Sequence, residues 1–268
     1  MSYQDTWIKP YSLGEFNVKS HDGVMTPEEL KARAEGYCKA MFPPGFFGAE
    51  DIVLDFGCGV GYIIEELLSR CQVKKIVGLD ISEATLELAQ KRLSHPALSW
   101  QRYDGRTIPF EDHVFDKVYS TACIQHIEEH AAFLLLAEIM RVLKPKGKAA
   151  LHFITWKRAP HIGYGDYSKV CEMICKGEEC HWHVFYTREE LEIKFVQLLG
   201  AEQVRFKDLD SFGGDVIAYV TKSGEPGQKP APTSLWRLPG RAWNTLWYQG
   251  GEALTRQVRG YLTWLRHR

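Results

Sequence analysis

The sequence predicts an α/β fold in which helices cover both faces of a doubly wound, mostly parallel β-sheet. Short apolar runs of strand length recur along the chain, and segments with apolar residues at helical spacing separate them. Right-handed crossovers through such helices bring successive strands side by side in parallel. With 268 residues, 45% of them hydrophobic, the chain can bury a large core.

The predicted elements follow one another between residues 26 and 221. Thr26 and Glu29 form a capping box around Pro27, which opens a helix that ends near Met41. Strands are predicted over 52–56, 75–79, 98–103, 117–120 and 149–154, and two closing strands over 204–206 and 216–221. Further helices are predicted after the first strand, after Ser82, over 129–143, and from a second capping box at Thr187 to Leu199.

A glycine-rich turn follows the first predicted strand. Asp55 lies near the end of the apolar run 52–56, and Gly57, Gly59 and Gly61 then occupy alternate positions. Glycine lets a backbone turn sharply and approach a ligand closely, because it has no Cβ. In an open α/β sheet, ligands bind beyond the carboxyl ends of the strands, so this turn is a candidate binding element.

Acidic residues stand at the ends of the next two strands. Asp80 ends the second strand, where an acid can accept hydrogen bonds from both hydroxyls of a ribose. Asp104 and Gly105 end the third, where a short acid can accept from the exocyclic amine of an adenine; an Asp-Gly pair is also common in ordinary turns. Together with the glycine turn, these residues predict an adenosine site.

The residues around the turn favour one kind of adenosine cofactor. A dinucleotide fingerprint has a further glycine where this chain has Tyr62, and no phosphate-cradling loop that ends in Gly-Lys-Ser/Thr is present. Asp55 lies immediately before the turn, where a carboxylate disfavours a pyrophosphate and suits a cation. The sequence therefore predicts an adenosine with a positively charged tail that lacks phosphate.

The same segments resemble the class I S-adenosylmethionine-dependent methyltransferases, whose sheet is Rossmann-like, and in particular their small-molecule branch. Order and spacing agree over about residues 48–155, and more loosely to 222. The family usually has two glycines after the Pro145 position, where this chain has Lys146 and Gly147. The residues that carry the resemblance are 53–61, 77–82, 104–105, 115–118, 126 and 141–147.

The resemblance implies S-adenosyl-L-methionine as the cofactor and assigns contacts to it. Asp55 and the three glycines would hold the methionine part, and Asp80 would bind the ribose. The implied contacts to the rest of the cofactor come from Ile81 over the adenine, Asp104 and Gly105 at its edge, and Thr121 near the sulfonium.

Two histidines are candidate proton acceptors. A neutral oxygen or nitrogen nucleophile must lose a proton on methylation, and His126 or His183 could accept it. His126 could instead cap or pack the following helix. His183 falls in an insertion over 156–186 that is rich in aromatic residues and histidines, which is typical of a cap over the acceptor. We expect this cap and a helical lid segment over 1–47 to close the site of a domain that spans 48–222.

Cysteines and histidines in the cap raise the alternative of a metal site. Cys171 and Cys175 lie one helical turn apart, and Cys180 and His181 follow closely. This spacing does not match the Cys-x-x-Cys pairs typical of zinc sites. We therefore expect buried thiols in the cap and no bound metal.

The C-terminal part of the chain differs in charge from the rest. Residues 222–268 contain eight basic and two acidic residues, whereas residues 1–221 contain more acids than bases. A Gly- and Pro-rich linker over 223–234 leads into a segment over 235–268 that is basic and Trp-rich and has an amphipathic helical pattern. Such a helix can lie on a membrane surface, dock on a partner, or pack on its own domain or a second copy.

These observations predict a methyltransferase that acts on an oxygen or nitrogen atom of a small-molecule or lipid- or sugar-linked acceptor. A non-catalytic cofactor-binding or scaffold protein with the same fold is the alternative. The acidic body disfavours nucleic acid as a partner. The start of the chain has no recognisable secretory signal, no apolar run is long enough to span a membrane, and the seven cysteines are expected to be reduced thiols. We therefore expect a cytoplasmic protein, with peripheral membrane contact through the tail as an option.

Overall fold

The structure is a computed structural model of the 268-residue chain, and it describes residues 7, 8, 12, 13, 15, 26–155, 157, 184–209 and 214–224. These residues lie within the first of the two units into which the chain divides, residues 1–228. The linker and tail predicted over 223–268, apart from residues 223 and 224, lie outside the described residues, as does nearly all of the predicted cap over 156–186.

The described elements alternate between strands and helices, as predicted. The helices are α1 (Pro27–Met41), α2 (Tyr62–Arg70), α3 (Glu83–Arg92), α4 (Glu129–Val142) and α5 (Arg188–Glu192). The strands are β1 (Ile52–Phe56), β2 (Lys75–Asp80), β3 (Leu98–Arg102), β4 (Phe115–Ser120), β5 (Leu143–Thr155), β6 (Phe185–Tyr186), β7 (Ala201–Leu209) and β8 (Asp215–Lys222).

Within the described residues, the strands form one sheet in the order β3-β2-β1-β4-β5-β8-β7, and β6 pairs with the end of β5. Strands β1 to β5 are parallel, whereas β8 runs antiparallel to both β5 and β7. The strand order reverses between β1 and β4, so the crevice beyond their carboxyl ends is where a ligand is expected. The predicted doubly wound, mostly parallel sheet is confirmed.

The structure differs from the sequence prediction around β5. This strand was predicted over 149–154, but it begins at Leu143, directly where α4 ends. Its pairing with β4 shifts register between Phe115 and Lys117, and Lys146 has a φ of 63°. The irregular pairing accommodates the turn segment 144–147 inside the strand, which the apolar pattern alone does not reveal.

The helix predicted from Thr187 to Leu199 also changes character along its length. Thr187 caps α5, with its side chain accepting from the backbone N–H of Glu190. From Ile193 to Leu198 the backbone follows a π-helical path. Six residues are too few for their apolar spacing to distinguish a π-helical turn from an α-helix.

The two faces of the sheet carry separate hydrophobic clusters. Side chains alternate between faces along a strand, so Val53 packs with α1 and α2 on one face while Leu54 and Phe56 pack with α4 on the other. Asp55 shares the face of Val53 and lies under α1. The end of α1 is held against the sheet by Tyr219, whose hydroxyl donates to the carbonyl of Met41 at 2.7 Å. Among the described helices, none is long and apolar enough to cross a membrane.

Candidate active site

A cavity of about 160 Å³ opens at the carboxyl ends of β1, β2 and β4. The turn after β1 forms its floor, and α1 forms the opposite wall. The described lining residues are Trp7, Leu30, Arg33, Ala34, Tyr37, Asp55, Gly57, Cys58, Gly59, Val60, Tyr62, Ile63, Asp80, Ile81, Thr85, Tyr103, Thr121, Ala122, Cys123, His126 and Ile127. This set brings together most of the site residues predicted from the sequence.

The glycine turn between β1 and α2 adopts a left-handed backbone. Gly57, Gly59 and Gly61 have φ values of 76°, 52° and 82°, a region that L side chains rarely adopt. The backbone N–H groups of Gly57 and Cys58 donate to the carbonyl of Leu79 in β2 at 2.8 and 3.0 Å. The turn is thereby fixed against the neighbouring strand. Gly57 and Gly59 line the cavity, whereas Gly61 is outside the described lining set.

Two of the glycines are also required by neighbouring side chains. A Cβ on Gly57 would lie 2.1 Å from the Sγ of Cys123, and one on Gly61 would lie 2.6 Å from the indole of Trp100. These distances are far below any van der Waals contact. The turn therefore depends on glycine for its packing as well as for its backbone conformation.

Asp55 is a buried carboxyl group at the base of the cavity. Its residue is 2% exposed, and in the sheet it lies between Gly78 of β2 and Tyr119 of β4. Burial raises the pKa of Asp55 to about 8; the Tyr119 hydroxyl opposes this shift and the charge of Asp80 adds to it. A cation in the cavity would favour the ionised carboxylate, so the site is built to accept positive charge.

Asp80 is the second acid of the cavity, at the end of β2. Its Oδ2 accepts from the backbone N–H of Gly59 and its Oδ1 from that of Ser82, both at 2.9 Å. Burial raises the pKa of Asp80, and these backbone N–H groups oppose the shift. Both oxygens of this carboxylate thus accept from the backbone, and a carboxylate has about four acceptor sites, which leaves room for a ligand donor. The geometry suits a pair of ligand hydroxyls, as predicted for a ribose.

After β3, the cavity is lined by Tyr103 and not by the predicted pair Asp104 and Gly105. Tyr103 lines it, and so does Ile81 from the end of β2, which is buried. Asp104 is exposed, its Oδ1 accepts from the backbone N–H groups of Arg106 and Thr107 at 2.8 Å, and it lies outside the described lining set together with Gly105. In this conformation, the carboxylate of Asp104 stabilises a turn.

The loop after β4 forms the wall opposite Asp80. Thr121, Ala122 and Cys123 all line the cavity, and the hydroxyl of Thr121 lies 3.2 Å from the Sδ of Met41 in α1. His126 follows in a short 3₁₀ turn, Ile124–His126, and also lines the cavity. Its ring lies 5.2 Å from that of Trp7 between centroids. Of the two histidines predicted as proton acceptors, His126 is therefore at the cavity.

Helix α1 supplies the wall that faces the glycine turn. Its capping box is formed as predicted, with Thr26 and Glu29 each accepting from the other's backbone N–H. Leu30, Ala34 and Tyr37 line the cavity from its buried face, and Arg33 lines it as well. The guanidinium of Arg33 lies 5.9 Å from the centre of the Tyr37 ring. The wall is thus largely apolar and aromatic, with one cationic group.

Tyr62, where a dinucleotide fingerprint has glycine, is held by an arginine. The guanidinium carbon of Arg92 in α3 lies 4.3 Å from the centre of the Tyr62 ring. The same side chain donates from Nε to the carbonyl of Val60 at 2.9 Å and pairs with Glu65 at 2.5 Å. Arg92 therefore links α3 to the glycine turn, a contact that spans 32 residues of sequence and has no local pattern.

Several predicted residues lie outside the described part of the chain. They are His183, Cys171, Cys175, Cys180 and His181, together with the remainder of the aromatic cap. Within the described residues, sequence reasoning gave no site role to Arg33, Tyr103 and Cys123. Their signal is weak, because each follows the ordinary pattern of its helix, strand or loop.

The fold and the cavity define an α/β protein with an acidic, nucleoside-sized site at the carboxyl rim of its sheet. Residues 53–147 match a family model described as a methyltransferase domain. This match falls in the segment where the sequence resembles the class I S-adenosylmethionine-dependent methyltransferases, and it supports that resemblance. The family and the fold imply S-adenosylmethionine as the cofactor.

Curated relatives match this chain over segments of about a hundred residues. The phthiotriol/phenolphthiotriol dimycocerosates methyltransferase 1 of Mycobacterium ulcerans (strain Agy99) is 36% identical over 98 residues, which cover 35% of this chain and 34% of that protein. The ubiquinone/menaquinone biosynthesis C-methyltransferase UbiE of Desulfotalea psychrophila (strain LSv54 / DSM 12343) is 32% identical over 96 residues, which cover 36% and 38% of the two chains. The chain thus matches about a third of the length of these relatives.

Solved structures match the fold of this chain over a longer part of it than the curated relatives match its sequence, but at low sequence identity. An S-adenosylmethionine-dependent methyltransferase from Methanosarcina mazei superposes with a TM-score of 0.56 at 21% identity, covering 69% of this chain and 99% of that one. One from Mesorhizobium loti superposes with a TM-score of 0.53 at 18% identity, covering 72% and 99%. At these identities the likeness shows the fold.

Proposed function

We propose that this protein transfers a methyl group from S-adenosylmethionine to an oxygen or nitrogen atom of a small-molecule or lipid- or sugar-linked acceptor. The observation that carries the proposal is the pair of carboxyl groups beside the glycine turn, the buried Asp55 and the partly buried Asp80, which both line the cavity. Burial raises the pKa of each, so a cationic ligand gains more there than a neutral one, and an anionic pyrophosphate is disfavoured.

The residues of the cavity fit the implied cofactor. The free lone pairs of Asp80 would accept from the ribose hydroxyls, and the apolar side chain of Ile81 would cover the adenine. Asp55, Gly57 and Gly59 would hold the cationic methionine part. Gly61 does not line the described cavity, and its left-handed backbone would help to form the turn. Asp104 and Gly105 would contact the adenine edge only if the turn at Asp104 rearranged, since its carboxylate now accepts from that turn.

Methyl transfer from a sulfonium does not require a covalent intermediate with the protein. S-adenosylmethionine supplies a methyl group already activated by its sulfonium. The loop with Thr121 and the wall with Tyr37 would hold the acceptor in line with that methyl, and alignment of this kind provides most of the acceleration in such a transfer. His126 would accept a proton from a neutral nucleophile. His183, the other predicted acceptor of that proton, stays a proposal from the sequence alone.

The acceptor side of the cavity favours an apolar or ring-bearing molecule. Trp7, Tyr37 and Ile127 line it, and Arg33 and His126 offer polar contacts. One relative is named for phthiotriol dimycocerosates and another for ubiquinone and menaquinone, which supports an acceptor of this chemistry. Because the second is named as a C-methyltransferase, product analysis must establish which atom is methylated.

Binding of the cofactor and its product tests the first half of the proposal. By calorimetry, Asp80→Asn should weaken the affinity for S-adenosylhomocysteine at least about tenfold, because the variant loses an acceptor for the ribose hydroxyls. The matched control is Glu83→Gln, which removes an acid whose side chain is 72% exposed three residues further on and should leave affinity unchanged. Equal affinities for the wild type and the Asp80 variant would count against the site.

Methyl transfer tests the second half. Cofactor labelled at the methyl group is incubated with the protein and cell extract, and label should appear in the small-molecule or lipid fraction. Mass spectrometry of the product then identifies the methylated atom. Cofactor binding without any incorporation of label would support the alternative, a non-catalytic binding or scaffold protein.

The basic tail over 235–268 is proposed, from its sequence, to contact an anionic membrane surface or a second copy of the chain. Flotation with vesicles that contain anionic lipid, compared between the full chain and a chain ending at residue 228, tests the membrane contact. Light scattering of the same two proteins tests the dimer. If neither measurement differs, the proposed tail contacts are wrong.

A further inference from the structure

A buried histidine and a buried aspartate lie behind the loop after β4, and the proposed chemistry does not use them. His152 is in β5 and Asp215 begins β8, and the two residues are 1% and 2% exposed. Nε2 of His152 lies 3.0 Å from Oδ2 of Asp215. The pair is placed within the sheet, two residues away from direct register between the antiparallel strands.

The hydrogen bonds of His152 determine which ring nitrogen carries the hydrogen. The backbone N–H of Ala122 points at Nδ1, at 3.1 Å, and a backbone N–H can only donate. Nδ1 is therefore the acceptor, and the hydrogen of the neutral ring is on Nε2, from which it is donated to Asp215. The carboxylate thus selects the tautomer that can receive the hydrogen bond from Ala122.

That hydrogen bond supports a residue in an unfavourable backbone conformation. Ala122 has a φ of 52°, in the left-handed region that non-glycine residues seldom occupy. Its two neighbours, Thr121 and Cys123, both line the cavity. Cys123 lies directly against Gly57, where a Cβ would come within 2.1 Å of its Sγ. A change at Ala122 would therefore move one wall of the cavity.

His152 also contacts the opposite wall. The ring of Tyr37, which lines the cavity from α1, meets the ring of His152 edge to face, with 5.6 Å between centroids. The imidazole thus touches both the helix and the loop between which a methyl acceptor would lie. Its buried position in β5 gives it a rigid base for doing so.

We propose that His152 and Asp215 are positioning residues for methyl transfer: Asp215 fixes the tautomer of His152, and His152 holds Ala122 so that Thr121 and Cys123 face the cofactor and acceptor. This inference rests on the proposed function. Because the residues proposed to bind the cofactor come mainly from the ends of β1 and β2, loss of the pair should disturb transfer more than cofactor binding.

The test compares three variants of the full chain. Asp215→Asn keeps the shape of the side chain but no longer favours one tautomer of His152. A near-isosteric change of this kind at a carboxylate–histidine pair lowers the rate of catalysis, because the histidine then adopts the wrong tautomer. His152→Phe keeps a ring against Tyr37 and removes the acceptor. His152→Asn offers an amide oxygen near the position of Nδ1 and should restore part of the activity lost in His152→Phe. Thermal unfolding verifies that each variant is folded.

The expected results separate positioning from folding. Asp215→Asn and His152→Phe should lower the transfer rate at saturating acceptor at least about tenfold, while the affinity for S-adenosylhomocysteine changes less than about threefold. Nitrogen NMR of histidine-labelled wild-type protein should show His152 with its hydrogen on Nε2, and Asp215→Asn should shift that signature.

Two different results overturn two different claims. A wild-type chain that neither binds S-adenosylhomocysteine nor moves label refutes the proposed function, and with it this role for the pair. A functional wild type in which His152 carries its hydrogen on Nδ1, or in which Asp215→Asn transfers at the wild-type rate, refutes the positioning role alone.

Discussion

The indole of Trp100 in β3 lies flat against Gly78 in β2. A Cβ on Gly78 would lie 2.5 Å from Cε3 of that ring, and the same ring blocks the Cβ position of Gly61 at 2.6 Å. Trp100 thus packs against the two glycines at once, one in the strand beside Asp55 and one in the glycine turn. The packing of the indole therefore favours glycine at both positions, and at Gly61 the left-handed backbone, with a φ of 82°, favours it as well.

Gly78→Ala should destabilise the protein, because the added methyl group overlaps the indole of a neighbouring strand. Overpacking of a core costs about 1–3 kcal/mol, which chemical denaturation can measure. The cost of Gly78→Ala should be smaller when the indole is absent. The free energy of unfolding should therefore fall less from Trp100→Leu to Gly78→Ala/Trp100→Leu than from the wild type to Gly78→Ala. Additive effects of the two substitutions would show that the overlap is not responsible.

A matched glycine provides the control for Gly78→Ala. Gly36 is in the middle of α1 and has no neighbouring atom within 4 Å of a built Cβ. Gly36→Ala should therefore stabilise the protein, by up to about 1 kcal/mol, since alanine is the better helix former. If both glycine substitutions destabilise to the same extent, steric overlap at Gly78 does not explain its cost.

The pKa of Asp55 predicts how stability depends on pH. Its value in the folded protein is about 8, above the ordinary value of 3.8, so between these values the folded state binds more protons than the unfolded state. The free energy of unfolding should therefore fall as pH rises from about 4 to about 8. Asp55→Asn should flatten this dependence, whereas Glu87→Gln, at an exposed acid of α3, should preserve it.

The same carboxyl group predicts how cofactor affinity depends on pH. The cationic cofactor favours ionised Asp55, so its affinity should rise between about pH 5 and about pH 8, as the carboxyl loses its proton. Calorimetry at several pH values measures this slope. In Asp55→Asn the slope should largely disappear, and a variant that retains the full wild-type slope would assign the titration to another group.

Much of the fold was predictable because its signals are local. Strands β1 and β2 are apolar runs, the first followed by Gly57 and the second ending at Asp80. The capping-box patterns at Thr26 and Thr187 mark helix starts within four residues. The position of Asp55 and Asp80 at the cavity was predictable for the same reason: a strand end places them at the rim of the sheet, whatever the details of packing.

The remainder depends on contacts between distant residues. In the sequence, Trp100 is predicted only to be part of a strand. The register of β3 against β2 is what places it over Gly78. His152 interrupts an apolar strand, which is a signal for a buried polar role, but its partner Asp215 is 63 residues away on an antiparallel strand. Pairing of this kind follows from strand order and register, which a local pattern does not contain.

Arg92 is predicted to support the cofactor turn. Arg92→Lys would lose the bond from Nε to the carbonyl of Val60 and the planar stacking on Tyr62. We expect a loss of about 1–2 kcal/mol in stability and a several-fold weaker affinity for S-adenosylhomocysteine. The control is Arg205→Lys at an exposed position of β7, which should change neither. Unchanged affinity in the Arg92 variant would show that the turn does not need this support.

The left-handed backbone at Ala122 predicts an unusual order among substitutions. With a φ of 52°, Ala122→Gly relieves a strain of about 1 kcal/mol but adds a similar entropy to the unfolded chain, so stability should change by less than about 1 kcal/mol. Ala122→Val should destabilise by more than about 1 kcal/mol, because a β-branched side chain fits this region worst. Denaturation curves of the two variants decide the matter: if valine is tolerated as well as glycine, the loop has relaxed to a right-handed conformation, and the hydrogen bond from Ala122 to His152 does not hold it.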